Sequence, residues 1–165
     1  MTLILGLDPG TATTGYGLVD ETPGGDLLAI DYGTIQTPAS LTDSERLVIL
    51  HQRVKEIILL HRPQGCAVER LFFQKNVRTA IVVGQARGVI LLAGAEAGLS
   101  IGEYTPNEVK QAVTGYGNAD KQQVQEMVKV LLQLDEIPRP DDAADALAIA
   151  ITHLHSIHSV YQEQQ

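Results

Sequence analysis

The sequence is poor in cysteine, has no long uninterrupted hydrophobic run and contains fewer basic than acidic residues. Its single cysteine, Cys66, cannot form an intrachain disulfide and lies in an apolar run, so we expect a buried thiol in a reducing cytoplasm. No apolar run approaches the ~18 residues of a membrane span, and the first residues lack the basic segment of a signal peptide. These absences disfavour secretion and membrane insertion.

The shortage of basic residues is the main objection to a nucleic-acid partner. The chain has 12 basic and 20 acidic residues and a net charge of −8, whereas phosphate binding usually needs a basic surface. The charge is unevenly distributed, because residues 70–95 contain no acidic residue and include Arg70, Lys75, Arg78 and Arg87. Divalent cations bound by acidic residues would also dominate the local field. The net charge therefore does not exclude nucleic acid.

The patterns of apolar residues and turns predict a single domain with a mixed α/β sheet. Five strands are expected over residues 3–8, 14–20, 27–37, 65–71 and 100–104, the first three as a meander. Helices are expected from capping boxes at Thr42 and Thr105, from Asp120, over 77–97, and from about Asp141. This order favours a ribonuclease H-like fold, a five-stranded mixed sheet flanked by helices. We assign residues 1–158 to that domain and 159–165 to a short frayed tail.

Two acidic residues stand at the ends of predicted strands. Asp8 follows the first strand and shares a face with Ile4 and Gly6, which leaves its carboxylate oriented but accessible. The alternative is a tight turn in which Asp8 accepts backbone hydrogen bonds. Glu69 ends an apolar run, where a lone buried carboxylate is costly unless it is paired or binds a metal.

A second group of acidic residues lies at the start of the last predicted helix. Asp142 and Asp145 are three residues apart and share a face, as do Asp141 and Asp145. In isolation this group also fits ordinary helix capping. Together with Asp8 and Glu69 it offers only oxygen ligands, which suit Mg²⁺ or Mn²⁺ and not zinc. The combination predicts two-metal phosphodiester hydrolysis.

Several segments carry a family resemblance when they are taken in order. They are Leu5-Gly6-Leu7-Asp8-Pro9-Gly10, Thr14-Gly15-Tyr16-Gly17, Val68-Glu69, Gly84-Gln85-Ala86-Arg87-Gly88 and Asp142-Ala143-Ala144-Asp145-Ala146-Leu147-Ala148. The set spans nearly the whole chain and closely resembles the RuvC family of Holliday-junction resolvases. The first turn alone also occurs in ribonuclease H-like ATPases, but the ordered set is specific.

The resemblance implies a metal-dependent endonuclease that nicks four-way DNA junctions and leaves 5′-phosphate and 3′-hydroxyl ends. It implies two Mg²⁺ ions per site, with Mn²⁺ as a substitute, and it favours Asp142 over Asp141 as the third ligand. The catalytic and metal-binding acids are then Asp8, Glu69, Asp142 and Asp145. The expected DNA contacts are Lys110, Lys121, Phe72, Lys75 and Arg78.

Some of these DNA contacts have ordinary alternatives. Lys110 and Lys121 are expected on first turns of helices, and ordinary solvated lysines are the less favoured alternative. For Phe72 and Phe73, a core role for at least one of them is an equal alternative to a contact with bases. A four-way junction has two symmetry-related strands, so we expect a homodimer. The helix around Gly84, Gly88 and Gly94 offers small residues for close packing there. The family also implies RuvA and RuvB as partners.

Two rival functions use the same fold. An actin-like or sugar-kinase-type ATPase also holds phosphate and metal near an Asp and a Gly-Thr turn, but its two lobes need far more than 165 residues. The other rival is a catalytically silent junction-binding module. Retention of all four acids disfavours it, because a pure binder has no need of buried carboxylates that face phosphate.

Overall fold

The secondary structure is given by a computed structural model, which describes residues 2–10, 12–70 and 76–162. In this part of the chain the strands are β1 (Thr2–Asp8), β2 (Thr13–Glu21), β3 (Leu27–Gln36), β4 (Gly65–Glu69) and β5 (Ser100–Tyr104). The helices are α1 (Asp43–His61), α2 (Val77–Glu96), α3 (Pro106–Thr114), α4 (Lys121–Leu131) and α5 (Asp141–Gln162). Every predicted strand and helix is present.

The strands form one mixed sheet in the order β3-β2-β1-β4-β5. β1, β2 and β3 form the expected antiparallel meander, whereas β4 pairs with β1, and β5 with β4, in parallel. α1 and α2 lie in the connections that parallel pairing requires. Since β1 and β4 are parallel, their carboxyl ends, with Asp8 and Glu69, lie at the same edge of the sheet.

The helix starts follow the predicted capping chemistry. Thr42 and Glu45 form a reciprocal capping box before α1, and Thr105 and Glu108 form one before α3, where Pro106 is the first helical residue. Asp120 caps α4 in the same way. These caps satisfy amide groups that would otherwise lack intrahelical partners. The starts of α3 and α4 are therefore fixed beside the sheet edge that carries Asp8 and Glu69.

Each face of the sheet is covered by its own hydrophobic core. One core packs α5, α3 and α4 against one face and includes Ile4, Ala67 and Leu147. The other packs α1 and α2 against the opposite face and includes Leu5 and Val68. Because strand side chains alternate, Asp8 and Glu69 lie on the α5 face, as Ile4 and Ala67 do. The predicted face of Asp8 is confirmed.

Glycines in β1 and β2 let α5 lie directly on the sheet. A Cβ atom at Gly6 would come 2.0 Å from the backbone oxygen of Ala146, and one at Gly15 would come 1.9 Å from that of Asp142. No real side chain fits at such distances, so only glycine permits this packing. Gly15 is the register partner of Asp8 in the antiparallel pair. The close approach therefore brings the first turn of α5 next to Asp8.

The structure differs from the sequence expectations in details of β4, α5 and α2. β4 ends at Glu69 rather than at residue 71, and α5 continues to Gln162, past the boundary at 158. Gly94 is buried with its Cβ position 3.1 Å from the Sγ of Cys66, so it packs on β4 and is unavailable to a partner, whereas Gly88 is exposed. Burial of Cys66 is confirmed, and it raises the pKa of the thiol to about 11.

α2 is the one helix among the described residues that is long and apolar enough to cross a membrane, judged by length and composition. Helices that cover the sheet of a soluble protein can have the same composition. One side of α2 contributes Ala86, Ile90 and Ala93 to the core beneath the sheet. Its opposite side exposes Ile81 and Leu92.

Candidate active site

Asp8 is the last residue of β1, and the turn that follows it is closed by another side chain. The hydroxyl of Thr14 donates to the Gly10 carbonyl at 3.1 Å and accepts from the Gly10 amide at 3.4 Å. Thr14 therefore bridges the two sides of the turn that follows Asp8.

Asp142 and Asp145 lie in the first turns of α5, facing the end of β1. One carboxylate oxygen from each of Asp8, Asp142 and Asp145 lies within 4.8 Å of the others. We call these three residues the acidic cluster. All three are partly buried, and like charges so close repel one another unless a cation or a proton lies between them. Asp141 is not among them.

Burial and the neighbouring carboxylates make Asp8 difficult to ionise. Burial, followed by the charges of Asp145, Glu69 and Asp142, raises the pKa of Asp8 from 3.8 to about 8. Burial and the charge of Asp142 also raise the pKa of Asp145, although Lys121 opposes the shift. A carboxylate that holds a proton at neutral pH in this way is ready to exchange it for a metal ion.

Glu69, the last residue of β4, lies beside the acidic cluster and not within its 4.8 Å spacing. Burial and the charge of Asp145 raise the pKa of Glu69, and Lys110 partly offsets this. Glu69 and Asp145 line one cavity of about 240 Å³ together with Lys110 and Lys121. Since a water molecule occupies about 30 Å³ in the liquid, the cavity has room for a hydrated ion. The structure thus brings all four predicted acids to one place.

The two predicted lysines both line this cavity. Lys121 is the first residue of α4, as expected, and its Nζ lies 3.2 Å from Asp141 and 3.8 Å from Asp145. Lys110 is the fifth residue of α3, so its expected place in a first turn is wrong by about one residue. Their ammonium groups supply positive charge next to the acidic cluster, where a phosphate would otherwise be repelled.

Asp141 has a different set of contacts from its neighbour Asp142. Its carboxylate pairs with Lys121 and accepts a hydrogen bond from the side-chain amide of Gln125 at 3.1 Å. Both hydrogen bonds lower the pKa of Asp141, the one from Lys121 most. Asp141 therefore holds a lysine at the rim of the acidic cluster, a contact that the spacing of the aspartates did not predict.

The remaining predicted DNA contacts are Arg78, Phe72 and Lys75. Arg78 is exposed in the first turn of α2, which Asn76 caps by accepting from the amides of Arg78 and Thr79. Phe72 and Lys75 lie outside the described residues. Arg87 belongs to the basic stretch of residues 70–95 but was not among the predicted site residues, and its Nε lies 3.4 Å from the Glu69 carbonyl oxygen.

The donor set of this site fits a hard divalent cation. Four carboxylates converge at a sheet edge, and no His or Cys belongs to the acidic cluster among the described residues. Oxygen-only sites of this kind suit Mg²⁺, Mn²⁺ or Ca²⁺. Flanking lysines fit a negatively charged substrate. The fold and the site together define a ribonuclease H-like protein with a cluster of acidic residues that could hold a metal ion.

Comparisons with known proteins define the family more narrowly. The sequence profile of the family "Crossover junction endodeoxyribonuclease RuvC" matches residues 4–153. The protein of that description from Heliobacterium modesticaldum is 59% identical over 155 residues, which are 94% of this chain and 95% of the relative. The chain belongs to the RuvC family of crossover junction endodeoxyribonucleases.

Solved structures agree with this assignment. Thermus thermophilus RuvC in complex with a Holliday junction substrate is similar with a TM-score of 0.92 and 37% identity, covering 96% of each chain. The yeast mitochondrial Holliday junction resolvase has a TM-score of 0.74 at 13% identity, covering 98% of this chain and 81% of that one, so it supports the fold only. The expected ribonuclease H-like fold is confirmed.

Proposed function

We propose that this chain is a structure-selective endonuclease that resolves four-way DNA junctions by paired, metal-dependent nicks, leaving 5′-phosphate and 3′-hydroxyl ends. The observation that carries the proposal is the convergence of Asp8, Asp142 and Asp145 within 4.8 Å in a member of this family. The junction-bound Thermus thermophilus relative supports the substrate class. The nuclease domain includes α5 as far as Gln162, beyond the predicted boundary at residue 158.

Asp8, Glu69, Asp142 and Asp145 are the residues that would hold the metal, with two Mg²⁺ ions per site and Mn²⁺ as a substitute. When bound, such ions activate a water for in-line attack and stabilise the leaving 3′ oxygen. The role of the four carboxylates is to supply charge and fixed oxygen ligands. Asp8 must lose its proton to do so, because its pKa is about 8 in the metal-free protein.

Basic residues around the cavity hold the DNA in this proposal. Lys110 and Lys121 bind backbone phosphates next to the acidic cluster, and Lys121 exchanges its partner Asp141 for phosphate. Arg78, with Phe72 and Lys75 just before α2, contacts the DNA near the crossover. Contacts of this sort fix the position of the scissile phosphate but carry little sequence information.

Two copies of the chain act together on one junction. α2 exposes Ile81, Gln85, Gly88 and Leu92, which lie four, three and four residues apart and so form one stripe along the helix. Gly88 has no atom within 4 Å of its Cβ position, so another helix can approach closely there. A two-fold pair would place one acidic cluster on each of two symmetry-related strands.

The cellular setting follows from family membership. The protein acts in the cytoplasm, and RuvA and RuvB are its expected partners in branch migration. These two assignments are made by resemblance to the family and are independent of the site geometry. A pull-down of this chain with RuvA and RuvB of the same cell, with and without junction DNA, measures whether they associate.

Cleavage of a labelled four-way junction tests the function directly. We expect paired nicks with Mg²⁺ or Mn²⁺, binding with little cutting in Ca²⁺, whose longer coordination positions water poorly, and no cutting in a chelator. A linear duplex of the same sequence is the control and should remain intact. Binding without cutting under all conditions would indicate the silent junction-binding module, and ATP hydrolysis without cutting would indicate the ATPase.

A further inference from the structure

Arg87 connects three parts of the chain behind the acidic cluster. Its Nε lies 3.4 Å from the carbonyl oxygen of Glu69, and its guanidinium forms an ion pair with the carboxylate of Glu103. Arg87 belongs to α2, Glu69 to β4 and Glu103 to β5. Both charged side chains are partly buried, with exposed fractions of 20% for Arg87 and 36% for Glu103, so solvent screens the pair less than a surface ion pair.

This ion pair lies on the opposite face of the sheet from the acidic cluster. Glu103 is the register partner of Val68, whose side chain belongs to the core under α1 and α2. Glu69 is the register partner of Tyr104, which bonds to His153 of α5 on the other face. Arg87 therefore reaches the Glu69 backbone from behind and cannot share the cavity that the Glu69 carboxylate lines.

Glu69 is a residue whose position must be enforced by the backbone. It is the last residue of the five-residue strand β4, and the amide of the next residue, Arg70, donates to the Tyr104 carbonyl at 2.7 Å. The neighbouring charge of Asp145 repels its carboxylate. This repulsion favours movement of the Glu69 carboxylate away from the acidic cluster, unless contacts of the Glu69 backbone oppose it.

We propose that Arg87 and Glu103 form a clamp that positions Glu69 for metal binding. This inference rests on the proposed function, in which Glu69 is a metal ligand. Glu103 orients the guanidinium, and the guanidinium holds the Glu69 carbonyl, so the carboxylate on the other face stays directed at the cavity. Arg87 is thus a positioning residue and makes no contact with DNA or metal.

Mn²⁺ binding without DNA separates this role from simple stabilisation. We expect Arg87→Ala to weaken Mn²⁺ binding, measured from the electron paramagnetic resonance signal of the free ion, by about tenfold, as for other residues that support metal ligands. The Mg²⁺ concentration for half-maximal junction cleavage should rise by a similar factor. Junction binding in chelator should be unchanged, because Arg87 lies on the far face.

Two conservative variants keep the test decisive if Arg87→Ala does not fold. Arg87→Lys keeps the charge toward Glu103 but loses the fork that reaches two acceptors, and Glu103→Gln keeps an acceptor but loses the charge. Both should fold and show Mn²⁺ affinities between wild type and Arg87→Ala. The matched control is Arg53→Ala, which removes an exposed ion pair with Glu56 on α1 and should leave Mn²⁺ binding unchanged.

Three results would overturn the clamp. They are folded Arg87 and Glu103 variants with wild-type Mn²⁺ affinity, an equal loss in Arg53→Ala, or weaker junction binding by Arg87→Ala in chelator, which would make Arg87 a DNA contact. Failure of the proposed function is recognised separately, because wild-type protein would then bind Mn²⁺ without cutting junctions. A wild type that binds no Mn²⁺ would overturn the metal site and the clamp together.

Discussion

Asp8 is a residue of the site whose carboxyl group is hard to ionise in the folded chain. Its carboxylate ends a strand, is partly buried, and faces the charges of Asp145, Glu69 and Asp142. In the unfolded chain none of these neighbours is held in place, so the carboxyl should titrate near its ordinary value. The metal-free protein therefore binds a proton at Asp8 that the unfolded chain releases.

This difference makes the stability of the metal-free protein depend on pH. Between about pH 4 and about pH 8 the folded state holds more protons at Asp8 than the unfolded state does, so the free energy of unfolding falls as pH rises. The Asp8→Asn variant has no titrating carboxyl group at this position, so its stability lacks this pH dependence. We expect its melting temperature in chelator to exceed that of wild type at pH 8 and to converge with it near pH 4. A difference independent of pH would contradict the raised pKa.

Lys121 is the basic residue that the site geometry ties most closely to phosphate binding. Lys121→Ala should weaken junction binding and reduce the slope of log affinity against log salt by about 0.9, the value of one backbone phosphate contact. Lys129→Ala, a change in the last turn of the same helix, is the control. An unchanged slope for Lys121→Ala would return Lys121 to the role of a solvated lysine that only pairs with Asp141.

At the scale of elements, the site depends on how closely α5 approaches β1 and β2. The Cβ position of Gly15 lies 1.9 Å from the Asp142 backbone oxygen and 3.1 Å from the Asp142 Cβ. Asp142 reaches the acidic cluster only because β2 has no side chain at this point. Gly6 permits the same approach one turn further along α5. Gly6 and Gly15 therefore determine how closely α5, which carries Asp142, approaches Asp8.

Gly15→Ala tests this dependence. The new methyl group must displace the first turn of α5, so we expect the free energy of unfolding to fall by about 1–3 kcal/mol. We also expect folded Gly15→Ala protein to bind Mn²⁺ more weakly than folded wild type, because Asp142 belongs to the displaced turn. Chemical denaturation and Mn²⁺ titration measure the two effects. Gly24→Ala, in an exposed turn with no atom closer than 3.7 Å, should change neither. Normal Mn²⁺ binding by Gly15→Ala would contradict the close approach.

Much of the fold could be predicted because its signals are local. The capping boxes at Thr42 and Thr105 mark helix starts within four residues of sequence, and the alternation in β1 indicates which face Asp8 occupies. The strand order was not predicted, since pairing of β4 between β1 and β5 depends on contacts far apart in the chain. The end of β4 at Glu69 was also missed, because the apolar Leu71 follows Glu69 and Arg70 and suggests a longer strand.

The candidate site, like the fold, has features that could be predicted from sequence and features that could not. The positions of Asp8 and Glu69 at strand ends, and of Asp145 on one helix face with Asp141 and Asp142, predicted a group of carboxylates. Only the family resemblance favoured Asp142 over Asp141. The pairing of Asp141 with Lys121, and that of Arg87 with Glu103, could not be named. Each joins residues 16 or more positions apart, and no local pattern records such a contact.

At the scale of the whole molecule, we expect two copies of the chain to pack against each other through α2. A leucine buried between two copies would be exposed in the monomer, as Leu92 is at 54%. The Leu92→Glu variant should therefore sediment as a monomer under conditions in which the wild type sediments as a dimer. Its two nicks on a junction should no longer be coupled. Leu59→Glu, at a leucine of α1 that is 72% exposed, is the control and should remain dimeric. Monomeric wild type at micromolar concentration with paired nicks intact would contradict the homodimer.

The central claim is that the four carboxylates act through bound metal, and isosteric substitution tests it most directly. Asp8→Asn, Glu69→Gln, Asp142→Asn and Asp145→Asn preserve shape but remove a charged ligand, whereas Asp141→Asn removes only a partner of Lys121. Junction cleavage and junction binding should be measured on all five proteins. The four site variants should bind but not cut, with binding equal to or tighter than wild type because a repulsive charge is lost.

Asp141→Asn should still cut. If Asp141→Asn is inactive while Asp142→Asn cuts normally, the third ligand has been misassigned. If Asp8→Asn, Glu69→Gln and Asp145→Asn all cut the junction at the wild-type rate, the proposal of a metal-dependent nuclease is contradicted.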